Sequence, residues 1–146
     1  MKSIIEELQQ LVSTYFLKLQ QLEPNEWHYQ SEPGKWTKKE ILGHLIDSAA
    51  NNHQRFVRSQ YTKDLNFFYD QNIWVAKQNY KDADAGILIN LWYNYNIHLL
   101  FIINCMRTEE LNNIILIKDE KVTIDWVIKD YIRHLKHHLN QITNFQ

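Results

Sequence analysis

Cysteine occurs once in the 146-residue chain, at Cys105, so neither an internal disulfide nor a thiolate zinc cluster can be built. Proline occurs twice and glycine three times, in a composition that is 45% apolar and 13% aromatic. That scarcity excludes low-complexity and disordered classes and favours long regular elements around a packed core. Neither sign of charge dominates. The formal net charge is −1 with acids and lysines interspersed, so no basic face for nucleic acid or anionic membrane stands out. Long apolar runs are missing too: the longest, "LLFII", falls far short of the roughly 20 residues of a membrane span. The opening "MKSIIEELQQLVS" turns acidic and amphipathic at once and has no apolar signal core. Two enzyme signatures are also lacking, the Glu-x-x-His of di-iron bundles and the His-Glu-x-x-His of zincin proteases. The expectation is one cytoplasmic domain spanning residues 1–146, with no nucleic-acid or membrane partner.

What is present is helical periodicity. A first helix runs from about Lys2 to Gln21, with Ile4, Ile5, Leu8, Leu11, Val12, Tyr15 and Leu19 three and four apart. Both prolines then fall in "LEPNEWHYQSEPGKW", a connecting loop. "WTKKE" announces a second helix, with Thr37 as N-cap and Glu40 closing a capping box, continuing to about Ser59. A third starts near Asp82 or Asp84 and reaches Met106. A fourth follows Thr123, a candidate N-cap, and carries Ile124, Ile128, Tyr131, Leu135, Leu139 and Ile142. Between the second and third lie more than twenty residues rich in aromatics, long enough for the two helices to run parallel in a four-helix bundle. "NNIILIKDEKVTI" alternates and has room for a small hairpin.

Seven histidines give the chain its chemistry, and three of them crowd into "YIRHLKHHLNQI". At about 100° per residue, with Leu135 centring the buried stripe, His138 falls about 60° and His134 about 100° to one side. His137 falls about 160° away, on the outer face. His134 and His138 therefore share one shoulder of the core, one turn apart, where two imidazoles can reach one ion. On the second helix His44 lies about 100° from Leu45, heading a polar flank with Ser48, Asn51 and Arg55. Such a strip is costly at a bundle's inner edge unless it is hydrogen-bonded, hydrated or liganded. The same residues also read as an ordinary half-exposed pair and a hydrogen-bonded boundary histidine, and spacing alone leaves both readings open. Glu40 and Asp130, one turn before His44 and His134, are candidate acceptors that would orient the rings, or simply capping and surface groups. Arg55 reads either as a carboxylate clamp or as a surface arginine. His28, His53 and His98 read as structural, and Cys105 as a packing residue. Trp36, Trp74, Trp92 and Trp126 read as core or loop-packing groups.

"PGKWTKKEILGHLIDSAANNHQRF", followed some ninety residues later by "DYIRHLKHHLNQI", resembles the DinB/YfiT-like superfamily of metalloenzymes. The matching features are Trp36-Thr37 at the helix start, His44 after it, His134 with His138, and Gln141. The resemblance implies an all-α, up-down-down-up four-helix bundle in which three histidines hold a divalent metal, with homodimers in many members. It also implies a relationship to bacillithiol S-transferases, mycothiol-dependent maleylpyruvate isomerase and metal-dependent hydrolases. His44, His134 and His138 are then the expected ligands, for zinc or nickel first and for iron, manganese or cobalt as well. Such an ion lowers the pKa of bound water or holds a thiol as thiolate. Transfer of a low-molecular-weight thiol to an electrophilic small molecule is the expected function, with hydrolysis or non-catalytic metal binding as alternatives.

Overall fold

The computed structural model of the chain describes residues 2–144. Five helices, α1 (Lys2–Gln20), α2 (Lys38–Arg58), α3 (Gln71–Gln78), α4 (Ala85–Cys105) and α5 (Ile124–Asn144), are joined by 3-10 turns and one hairpin. The hairpin pairs β1 (Ile114–Ile117) with β2 (Glu120–Thr123) antiparallel, Ile115 facing Val122. Its two-residue turn, Lys118-Asp119, has positive φ at both positions, the backbone hand that suits the twist of two paired strands.

The long helices begin where short polar side chains satisfy their first amides. Thr37 accepts from Glu40 N–H while the Glu40 carboxylate takes the Thr37 N–H at 2.8 Å, a complete capping box. Asp84 accepts from Ile87 N–H at 2.9 Å, and Thr123 Oγ1 from Trp126 N–H at 3.2 Å. Each helix then buries its apolar stripe in one core, which includes Leu8 and Val12, Leu45 and Phe56, Trp92 and Leu99, and Ile128, Tyr131 and Leu135.

Side-chain contacts fix the directions. Tyr15 donates to Asn140 and Glu7 pairs with Lys136, so α1 and α5 run parallel. Lys39 donates to the carbonyls of Lys81 and Ala83, ahead of α4, and His53 meets Tyr95 and His98 further along it, so α2 and α4 are parallel as well. His44 meets His134 and His138, whereas Arg55 shares a cavity with Val127 and Asp130, so α2 and α5 are antiparallel. The result is the up-down-down-up bundle, with the long connection crossing over from α2 to α4.

Three details differ from the sequence expectation. The crossover is not irregular throughout: Asp70 caps α3 by accepting from Asn72 and Ile73, and Asn79 ends it in the left-handed conformation. Cys105, expected to pack, is instead exposed at the end of α4, on the solvent side of that helix. Trp126 is 49% exposed on the outer face of α5, and Trp74 is half exposed with its ring edge-on to Tyr69. Helix α4 also passes the length and composition test for a membrane span, the one described helix to do so. It earns that by average composition, since polar Asn90, Asn94, Asn96 and His98 interrupt its apolar residues.

At Gly43 the crossover packs tightly against α2. A Cβ there would lie 2.1 Å from the ring of Tyr80, whose hydroxyl is held by Asp47. Gly43→Ala is expected to destabilise the fold by about 1–3 kcal/mol in urea unfolding, outweighing the gain of about 1 kcal/mol in helix propensity.

Candidate metal centre

The antiparallel packing of α2 on α5 brings His44, His134 and His138 together. One ligand-capable atom from each lies within 4.8 Å of those of the other two. The Nε2 atoms of His44 and His134 are 2.9 Å apart, and the three rings meet edge to face with centroids 4.5–4.8 Å apart. His44 is fully buried, deeper than the shoulder position expected for it, because the indole of Trp36 packs against its ring at 4.9 Å. His134 and His138 are half-buried and His137 is exposed.

The electrostatics favour neutral rings. Burial, and then the charges His134 and His138 would carry, push His44 down to about 3. His134 is lowered to about 4 by burial first and by His138 next. His138 is lowered by burial, partly opposed by its hydrogen bond to Gln141. Three neutral imidazoles with their lone pairs converging form a donor set suited to a divalent cation, since protonated rings cannot ligate.

The ring orientations come from different sources. Gln141 Oε1 meets His138 Nδ1 at 2.7 Å, so that nitrogen is the protonated one and Nε2 is left for the cluster. The Nδ1 atoms of His44 and His134 are buried without a partner. The two carboxylates considered from sequence are engaged elsewhere: Glu40 closes the helix cap, and Asp130 Oδ1 accepts from Arg133 at 2.6 Å and 3.1 Å. Neither carboxylate orients an imidazole, because the capping amides and Arg133 are nearer partners.

The polar flank of α2 is mostly bonded within its own helix. Asn51 donates to the Asp47 carbonyl and Asn52 to that of Ser48, each at i−4. Arg55 donates to Asn52 Oδ1 at 3.1 Å. Asp47, not singled out by sequence, is buried and accepts from both Gln78 and Tyr80 at 2.6 Å, tying the end of the crossover to α2. No local pattern announces that link, since its partners lie some thirty residues on. His53 sits by Tyr95 Oη at 3.2 Å and beside His98, away from the trio.

Two openings reach the trio. A pocket of about 300 Å³ touches His138 and Gln141 and carries Tyr29, Lys35, Trp36 and Lys38 on its walls. The Lys38 side chain is only 3% exposed, with its ammonium 3.5 Å from Glu26. A smaller cavity of about 100 Å³ touches His134 from the side of Arg55.

A helical bundle in which three histidines converge offers a group that could hold one metal ion. Its family is then plain: residues 5–142 match the DinB superfamily, and the chain belongs to it. Among solved structures, YfiT from Bacillus subtilis, described as "a probable metal-dependent hydrolase with an unusual four-helix bundle topology", is 20% identical, with a TM-score of 0.89 over 98% of this chain and 83% of that one. The mycothiol-dependent maleylpyruvate isomerase is 13% identical, with a TM-score of 0.81 over 97% of this chain, which spans 60% of the isomerase. A DinB-like protein from Bacillus subtilis, YjoA, is 14% identical, with a TM-score of 0.68 over 96% of this chain and 87% of that one. At these identities the likeness establishes the shared fold. No curated protein matches the chain by sequence.

The depressed histidines set a pH dependence. Below pH 6.5 the unfolded chain protonates these rings while the metal-free folded chain keeps them neutral, so stability present above 6.5 is lost as pH falls towards about 4 and about 3. For metal-free protein the unfolding free energy is expected to drop by up to about 1.4 kcal/mol per pH unit for each of His44 and His134. Urea titrations at pH 7, 6 and 5 measure it, and His44→Gln is expected to flatten the slope.

Proposed function

We propose that this protein is a divalent-metal-dependent enzyme in which His44, His134 and His138 hold one ion. We further propose that it transfers a low-molecular-weight thiol to an electrophilic small molecule. The observation that carries the reading is the convergence of three neutral imidazoles, from two helices, in a half-buried site with two openings. Three nitrogen donors satisfy zinc or nickel and are also compatible with iron, manganese or cobalt. Bound there, such a cation supplies an uncompensated positive charge that favours the deprotonated form of water or of a thiol.

The chain's own contributions are orientation, exclusion of water and room. Gln141 holds the His138 tautomer and Trp36 shields His44. The wide pocket beside His138 has the size of a small-molecule site, and Lys35 gives it positive character, the Lys38 ammonium being paired with Glu26. No protein cysteine takes part, Cys105 being exposed at the far end of α4. Thiol transfer draws support from the mycothiol dependence of one structural neighbour. Hydrolysis is the second reading, favoured by the likeness to YfiT over 98% of this chain. We also read the protein as cytoplasmic and as a homodimer, the latter because Ile87, Leu91 and Phe101 stand exposed on one face of α4, interrupted by Asn94 and His98.

Metal analysis by mass spectrometry tests the site. About one divalent ion per chain is expected, lost in His44→Ala and His138→Ala and kept in His137→Ala. An ion-free wild type, even after incubation with zinc, nickel and manganese, sinks the proposal. Titrating the cobalt-loaded protein with a thiol then separates the reactions: a thiolate ligand changes the visible spectrum, and no response favours hydrolysis.

A further inference from the structure

Arg55 carries a positive charge into the bundle without a direct ion pair, the carboxylate of Asp130 lying across a small cavity. The residue is 8% exposed, and it takes no part in any ion pair among the described residues. Its guanidinium donates to two neutral acceptors, Asn52 Oδ1 at 3.1 Å and the Phe67 carbonyl at 3.2 Å, and its Nε is buried without a partner. Burial lowers the guanidinium's pKa and outweighs the groups that oppose it. The Asp130 carboxylate, and the Phe67 ring with its centroid 5.8 Å from the guanidinium carbon, offset only part of the charge, so a further anion is favoured there.

The space beside it is suited to supplying that offset. Arg55 lines the cavity of about 100 Å³ that reaches His134, with Ser48, Asn52, Tyr69 and Asp130 on its walls. Asp130 is the one acid there, and its Oδ1 is already held by Arg133. At about 30 Å³ per water molecule the cavity has room for about three waters, or for one planar carboxylate and a carbon or two. A single guanidinium fork matches a carboxylate, whereas a phosphate dianion calls for more cationic donors than the walls provide.

We infer that this cavity is an anion subsite in which the Arg55 guanidinium receives a carboxylate of the small molecule that reacts at the histidine trio. The inference rests on the proposed function only for what happens at His134; the anion site itself stands on Arg55 and its cavity. It restricts the substrate class to small molecules bearing a carboxylate a few atoms from the reacting centre. The carboxylate belongs either to the thiol or to its electrophilic partner.

The test uses the full-length chain, first without metal. Sodium acetate is titrated against sodium chloride at constant ionic strength while the 15N side-chain Nε resonance of Arg55 is followed. A saturable shift in wild type is expected, with affinity weakened at least about tenfold in Arg55→Gln and unchanged in Arg58→Gln. No saturable shift in wild type overturns the inference, as does equal affinity in Arg55→Gln or tighter binding of inorganic phosphate than of acetate. Because the wild-type resonance reports directly, a variant that fails to fold leaves the outcome readable. Cobalt-loaded protein titrated with N-acetylcysteine and with its methyl ester then locates the carboxylate. A preference for the acid that vanishes in Arg55→Gln places it on the thiol, and equal binding of acid and ester places it on the partner substrate. Failure to hold cobalt would count against the proposed metalloenzyme alone, since the acetate titration needs no metal.

Discussion

Helix α5 seats Ile128, Tyr131, Leu135 and Leu139 in the bundle core, and that burial leaves it little freedom to rotate. With the stripe fixed, His134 and His138 lie on the shoulder that faces α2. Helix α2 runs the opposite way, so His44 near its start comes level with the second half of α5. The three rings are then too close and too dry to be charged together: burial lowers all three, His134 and His138 lower His44 further, and His138 lowers His134. The neutral imidazoles follow from this one antiparallel contact, which also sets them beside the polar flank of α2.

Much of this was legible because it is local. The capping box at Thr37 and Glu40, the cap at Thr123 and the 3.6-residue period place α2 and α5 to within a residue or two, while the start of α4, expected near Asp82 or Asp84, is capped by Asp84. The separation of His134 and His138 from the exposed His137 also follows from angular spacing alone. Helix α3 escaped notice because eight residues with Val75 as their only buried side chain carry almost no period; its signals were the single residues Asp70 and Asn79. The complete burial of His44 and the Asp47–Tyr80 link depend on which segments cross, and no spacing rule encodes that. Of the two roles open to Glu40 and Asp130, orienting a ring or serving as capping and surface groups, the structure shows the second for a related reason. Position on a helix shows what a carboxylate can reach, but competition among nearer donors decides what it holds.

The shared bundle does not choose a reaction. One neighbour is described as a hydrolase and another as an isomerase dependent on a thiol, and both superpose on nearly the whole chain. Chemistry is therefore written in the walls around the trio, where these proteins are free to differ. In this chain those walls are asymmetric: lysines and aromatic rings beside His138, and one buried guanidinium beside His134.

The crossover strand segment near Leu65 does more than connect. Leu116 N–H donates to the Leu65 carbonyl at 2.8 Å and Phe67 N–H to the Leu116 carbonyl at 3.1 Å, so the crossover lies along the hairpin like a third strand. The Phe67 carbonyl in turn holds Arg55. This end of the molecule is thus sewn from segments distant along the chain, and such contacts close only after nearer ones have paid the entropy of loop closure. The four long helices can condense before the stitching is complete. In folding the histidine trio and the guanidinium need not come together at the same moment, and partial unfolding can open the Arg55 side while α2 and α5 still hold the rings in place.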